Sequence, residues 1–159
     1  MSARAAWRLA DLGFREVYDY TAGRADWLAA GLPAEGPLAA VPSAASLCRT
    51  DMPTCAPDEP VGAAVTRMRD TGVPLCAVVN DRRVVLGAID AATAADACAD
   101  AGGGGKRPAR EVMMPGPQTI RPDARELPGW IRRRPPAAMI VTRSDGTLVG
   151  LLEDPARLD

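Results

Sequence analysis

Histidine is absent from the whole chain of 159 residues. That removes imidazole as a general base, as the activator of a serine or cysteine nucleophile, and as a metal ligand. Cysteine is scarce and scattered. Cys48, Cys55, Cys76 and Cys98 stand far apart in sequence, so no C-x-x-C pair exists to hold zinc. Four small buried hydrophobes in a reducing, cytoplasmic setting are the expectation for these thiols. Aromatic residues make up 4% of the chain, which leaves no stacking surface for single-stranded nucleic acid. The 19 basic residues are balanced by 20 acidic ones, so no basic field points to a nucleic-acid partner. No apolar run reaches the length of a membrane span or a signal peptide.

What the chain has is Val, Leu, Ile, Ala and Met in short periodic blocks. Val61, Val65 and Met68 stand at i, i+4 and i+7 and predict a helix over 61–71, which Gly72 closes. Leu75 to Val79 reads as a buried strand, Asn80-Asp81 as a turn, and Val84 to Ile89 as the hairpin partner. Residues 91–101 form a small-residue helix, and Gly102 to Gly105 a flexible break. Lys106 after those glycines invites a phosphate-loop reading. Arg107-Pro108 then stands where Ser/Thr and a helix are needed, so the segment is a linker.

The pattern then recurs. Thr54-Cys55-Ala56-Pro57-Asp58 is matched by Thr119-Ile120-Arg121-Pro122-Asp123, and Gly87 is matched by Gly150 at nearly the same offset. Met139 to Thr142 and Leu148 to Leu152 form the second hairpin around Ser144-Asp145-Gly146. The intervening helix, with Leu127, Trp130 and Ile131, is interrupted by Pro128, Pro135 and Pro136 and should be about two turns long. A helix plus one hairpin cannot close a core, so two such units bury their apolar faces on each other.

Both units resemble the CBS domain. The residues that carry the resemblance are TCAPDEPVGAAVTRM with GVPLCAVVNDRRVVLGAID, and TIRPDARELPGWI with AAMIVTRSDGTLVGLLE. The resemblance implies an α+β fold of two β-α-β-β-α repeats packed sheet to sheet, spanning residues 47–101 and 109–159. A Gly-rich linker at 102–108 joins them, and a linker at 37–46 precedes them. It also implies a homodimer and a cleft for AMP, ATP or S-adenosylmethionine, with no required cofactor and no catalysis.

Carried over residue by residue, the resemblance puts Thr54 and Thr119 near an adenine, walled by Leu75, Ala77 and Ile140, with Met113 alongside. The family often has a hydroxyl for phosphate after the glycine and, a little further on, an Asp for ribose. Here those positions hold Asp90 and Thr93 in the first repeat, Glu153 and Ala156 in the second. Carboxylates there repel phosphate, which favours adenosine-like or cationic ligands. Arg82, Arg83 and Arg132 to Arg134 are the cations available to a phosphate, although solvated surface charge is their ordinary role.

Residues 1–36 resemble the C-terminal end of a rhodanese-type sulfurtransferase. A helix over 2–12, a strand at Arg15 to Tyr20 and a helix from Gly23 carrying Trp27 make a helix-strand-helix segment. The nucleophilic Cys of that family has no counterpart, so the segment reads as a remnant or the product of a misplaced start codon. Its apolar side chains Trp7, Leu9, Phe14, Trp27 and Leu28 are expected to pack on the repeats or a dimer mate. The expected function is an adenosine-sensing regulatory pair. The alternatives are a ligand-free dimerisation or interaction scaffold and, remotely, a degenerate sulfurtransferase.

Overall fold

The computed structural model describes residues 2–37, 39–99, 105–133 and 136–158. Ahead of the first repeat's strands come α1 (Ser2–Asp11), α2 (Gly23–Ala29) and α3 (Ala44–Leu47). The first repeat continues with β1 (Thr54–Cys55), α4 (Val61–Thr71), β2 (Leu75–Val79), β3 (Val85–Asp90) and α5 (Ala91–Ala99). The second carries α6 (Ala109–Val112), β4 (Met114–Pro115), β5 (Thr119–Ile120), α7 (Gly129–Arg132), β6 (Met139–Thr142) and β7 (Leu148–Leu152), then a 3-10 turn at Pro155–Leu158.

One sheet has the order β1-β2-β3-β4 and the other β5-β6-β7. In each repeat the short first strand pairs in parallel with the hairpin, Thr54 opposite Ala77 and Thr119 opposite Ile140. The lead-in to each repeat is given to the other repeat's sheet. Met114 pairs with Ala88, and Arg49, its counterpart ahead of the first repeat, pairs with Leu151. The short helices do the same. Ala109 and Arg110 donate their backbone N–H groups to Glu59 and Pro57, while Ala44 and Ala45 donate to Ala124 and Pro122. Donors and acceptors thus correspond one to one across the repeats, Ala44 with Ala109 and Pro57 with Pro122, so the duplication extends back to Ala44.

Gly87 and Gly150 make the exchange possible. A Cβ on Gly87 would come within 2.4 Å of Met113 Sδ and 2.9 Å of the Met114 carbonyl, and one on Gly150 within 2.2 Å of the Arg49 carbonyl. Neither side chain would fit under the crossing strand. The hairpin ends meet as well, through a Val84–Thr147 bridge. Between the sheets, Met52, Val73, Ala77, Ala88, Ile140, Leu148 and Leu151 form one shared apolar cluster. Each such Leu, Ile or Val contributes about 1.5–3 kcal/mol by leaving water. The outer face of each sheet has its own cluster under the helices.

Several expectations need correction. Arg15 to Tyr20 is not a strand, so the N-terminal segment is not helix-strand-helix. Among the described residues no strand pairs with it, and alternation alone cannot supply an edge. Trp7 (69% exposed), Leu9 and Phe14 do not pack on the repeats. Contact with the second repeat is largely polar, through Arg24–Asp123 and Arg143–Asp26 ion pairs. The expected linker at 37–46 includes most of α3, whose N-cap Ser43 forms a capping box with Ser46. The second-repeat helix is α7, a single turn of four residues. The second repeat also ends in a 3-10 turn rather than an α-helix. The linker glycines 102–104 and Arg134 lie outside the described residues. No helix among the described residues is long and apolar enough to cross a membrane.

Candidate functional site

The site begins with the end of β3. The chain leaves the sheet at Asp90 and turns at once into α5. The backbone N–H groups at such a helix start need acceptors, and Asp90 supplies one. Its Oδ1 accepts from the Thr93 N–H at 2.7 Å. That bond, together with the Thr93 hydroxyl, holds the Asp90 carboxyl below its ordinary range. The Asp90 side chain, expected at a phosphate position, is therefore a fixed anion that already occupies the helix terminus. Thr93, expected at a ribose position, lines a cavity of about 280 Å³ with Asp96, Arg107, Glu111 and Val112.

The matching position of the second repeat, Glu153, is spent differently. Its carboxylate meets Arg49 Nη1 at 2.7 Å, and the same guanidinium holds Asp51 at 2.7 Å. Arg49 thereby fastens the exchanged lead-in to the end of β7. The Arg49 guanidinium holds Asp51 well below the usual carboxylate range, at about 2.

Thr54 is half-buried and stands over a cavity of about 350 Å³ lined by Cys55, Glu59, Arg67, Asn80 and Asp81. Its carbonyl accepts from Arg67 Nη1 at 2.8 Å. Glu59 grips the other side of that guanidinium at 2.6 Å, and the contact lowers the Glu59 carboxyl to about 2. Thr119 is exposed beside a cavity of about 320 Å³ that also takes in Gly116, Arg121, Thr142 and Asp145. Leu75, Ala77 and Ile140 come together in the inter-sheet cluster. Ala77 is 0% and Ile140 1% exposed, so Met52 and Leu151 fill the space beside them. Met113 packs into the first repeat's own core, over Gly87.

The structure thus unites Leu75, Ala77 and Ile140, the expected base wall, and joins Asp90 to Thr93, while Thr54, Thr93 and Thr119 face three separate cavities. Residue-type reasoning missed Arg49, Arg67 and Glu59. Arg49 had a usable signal, since it occupies the place of Met114 in a lead-in whose register repeats. Among the described residues no group of three His, Cys, Asp or Glu is placed to hold a metal.

Residues 44–99 match the CBS domain family. No curated protein matches the chain. Among solved structures, the putative acetoin utilization protein AcuB from Vibrio cholerae is similar with a TM-score of 0.62 and 16% identity, over 71% of this chain and 84% of that one. The fold is that of a CBS-domain pair. A CBS domain pair in complex with 5′-methylthioadenosine and S-adenosyl-L-methionine is similar at TM-score 0.58 and 17% identity, over 74% of this chain and 95% of the other. The cytosolic domain of the Mg²⁺ channel MgtE in complex with ATP gives 0.58 and 16%, over 70% of this chain. The chain spans about half of that protein's length, 45%. At these identities the CBS pairs share their fold with this chain, and its two repeats share one exchanged architecture.

Proposed function

We propose that this CBS pair is a regulatory module that takes an adenosine-type ligand without a phosphate tail at the α5 start, the S-adenosylmethionine class ahead of AMP and ATP. One observation carries the reading: Asp90 is a pinned, ionised carboxylate, at the position where the family resemblance expects a phosphate-binding hydroxyl. A cationic sulfonium or a neutral nucleoside meets no repulsion there, whereas a triphosphate does. Isothermal titration of adenosine, S-adenosylmethionine, AMP and ATP tests it. The expected result is that S-adenosylmethionine binds at least about tenfold tighter than ATP, a gap of about 1.4 kcal/mol. Asp90→Thr keeps a helix cap while removing the charge, and it should narrow the gap. ATP binding as tightly as S-adenosylmethionine, or no binding by any of the four, overturns the reading.

A second reading is favoured by the filled inter-sheet cluster around Ala77, Ile140 and Leu151. Here the pair is a scaffold that dimerises without nucleotide. An apolar groove of about 490 Å³ between α4 and α5, lined by Val65, Met68, Val73, Ala94, Ala95 and Cys98, is the surface for a second copy. Light scattering on the ligand-free chain should report a dimer, and Ala95→Glu, a change on the exposed wall of the groove, should yield a monomer. The remoter sulfurtransferase reading is checked by thiosulfate:cyanide turnover, expected to be nil because residues 2–37 contain no cysteine.

A further inference from the structure

Two cysteines of the first repeat stand on neighbouring strands of one sheet. Cys55 lies on β1 opposite Val78, and Cys76 lies on β2 just before Val78, on the same face. Period-two alternation puts both side chains on the helix-facing side of the sheet, where both belong to the same apolar cluster. Each thiol perturbs the other, while the Cys76 Sγ itself lies 3.9 Å from the Ala77 carbonyl. The arrangement is asymmetric. The Cys76 thiol, fully buried, is pushed up by its Cys55 neighbour and by desolvation. The Cys55 thiol is pulled down by its Cys76 neighbour against desolvation and the Glu59 carboxylate, with the smallest contribution from the Arg67 guanidinium. Cys55 is only 3% exposed, yet it forms part of the wall of the 350 Å³ polar cavity where Arg67 sits. A small solute can therefore reach it. Cys48 and Cys98 stand elsewhere and are not in this pair.

We propose that Cys55 and Cys76 are a peroxide-responsive dithiol, with Cys55 the attacking thiol and Cys76 the resolving one. The Cys55 sulfur attacks the terminal oxygen of a hydroperoxide, the O–O bond breaks, and the alcohol (or water) leaves with a proton. This gives Cys55 sulfenic acid. The Cys76 sulfur then displaces the hydroxyl, which departs as water with the Cys76 proton, and the S–S bond forms. Two thiols lose two electrons in all, and the hydroperoxide gains them. Diagonal neighbours on adjacent strands have Cα atoms roughly 7–8 Å apart, longer than the usual disulfide span. Closing the bond must draw β1 inward, and β1 can yield because it is two residues long at the sheet edge. A disulfide formed this way is readily reduced. It also moves Thr54, the residue beside Cys55.

The test is hydrogen peroxide treatment of the full chain, alkylation under denaturing conditions, and intact-mass and peptide analysis. The expected product is a chain lighter by two hydrogens with two of its four thiols protected. A Cys55–Cys76 cross-linked peptide should disappear on reduction with dithiothreitol. Cys48→Ser/Cys98→Ser should behave like the wild type, and Cys76→Ser should accumulate a dimedone-trappable sulfenic acid on Cys55. Alkylation of all four thiols after peroxide, or a cross-link through Cys48 or Cys98, overturns the proposal. The wild-type peptide map decides this even if a serine variant fails to fold.

Discussion

The two repeats share one sheet framework and differ in almost everything laid over it. In the first, α4 runs eleven residues and ends on left-handed Gly72, and α5 runs nine. In the second, α7 is four residues and the terminal helix is a 3-10 turn. Yet the parallel first strand, the hairpin register and the exchanged lead-in correspond pair for pair. The difference teaches that pseudo-symmetry is held by backbone pairing and by the inter-sheet cluster, whereas a helix can be cut to a turn if something covers its side of the sheet. The family match covers residues 44–99, the repeat with the longer helices.

The sharpest way to break the comparison is at the two crossing glycines. At Gly150 an added Cβ meets backbone, the Arg49 carbonyl at 2.2 Å, with Arg49 also fixed by Asp51 and Glu153. At Gly87 the nearest atom is the mobile end of Met113, although the Met114 carbonyl at 2.9 Å stays in the way. Gly150→Ala should cost about 3 kcal/mol or more and Gly87→Ala about 1–2 kcal/mol, following the cost of overpacking. Urea denaturation of both variants measures it. Equal losses at the two positions contradict the asymmetry.

Much of this framework was legible in the sequence. The repeated Thr-x-x-Pro-Asp and the two hairpins predicted α4 over 61–71, β2 and the paired sheets, because period and turn chemistry are local. The strand exchange was not legible. Arg49 and Met114 carry no alternation of their own, and their pairing depends on Leu151 and Ala88, which are remote in sequence. Arg15 to Tyr20 failed for the opposite reason, an alternating pattern without an edge to join. At the site, the Asp90 substitution was visible as a charge in the wrong place. Its capping bond to Thr93 was not, nor was Glu153 closing on Arg49, since both are matters of which acceptor the fold brings near.

A smaller effect separates the helices. Gly72 ends α4 with φ of +68°, a conformation that L side chains adopt at a cost. Nothing lies within 4 Å of an added Cβ, so Gly72→Ala isolates the backbone cost, about 1 kcal/mol. Gly129, at the start of α7, also has open space around it, without the positive φ. Gly129→Ala should leave stability unchanged or raise it by up to about 1 kcal/mol. Thermal melts of the two variants should therefore shift in opposite senses, or one not at all; a matching fall in both means that α7 is not built as described.

The smallest contrast is electrostatic and depends on pH. In the first repeat Glu59 holds Arg67, which in turn holds the Thr54 carbonyl. In the second, the residue matching Glu59 is Ala124, and Arg132, the counterpart of Arg67, meets Glu126 at 3.1 Å instead. Glu59 has a folded pKa of about 2 against an ordinary 4.5. A depressed carboxyl favours the fold when ionised, so its contribution is complete above pH 4.5 and is lost as pH falls toward 2. Both partners are about one-third or more exposed to solvent, which limits the gain to less than about 1 kcal/mol. Glu59→Gln should therefore destabilise the chain by that amount at pH 7 and by nothing near pH 2. Glu126→Gln, at a side chain 78% exposed, should stay within about 0.5 kcal/mol of the wild type at every pH. If the Glu59→Gln deficit persists unchanged at low pH, the loss is one of packing rather than charge. The first repeat's ion pair then contributes no more than its second-repeat counterpart.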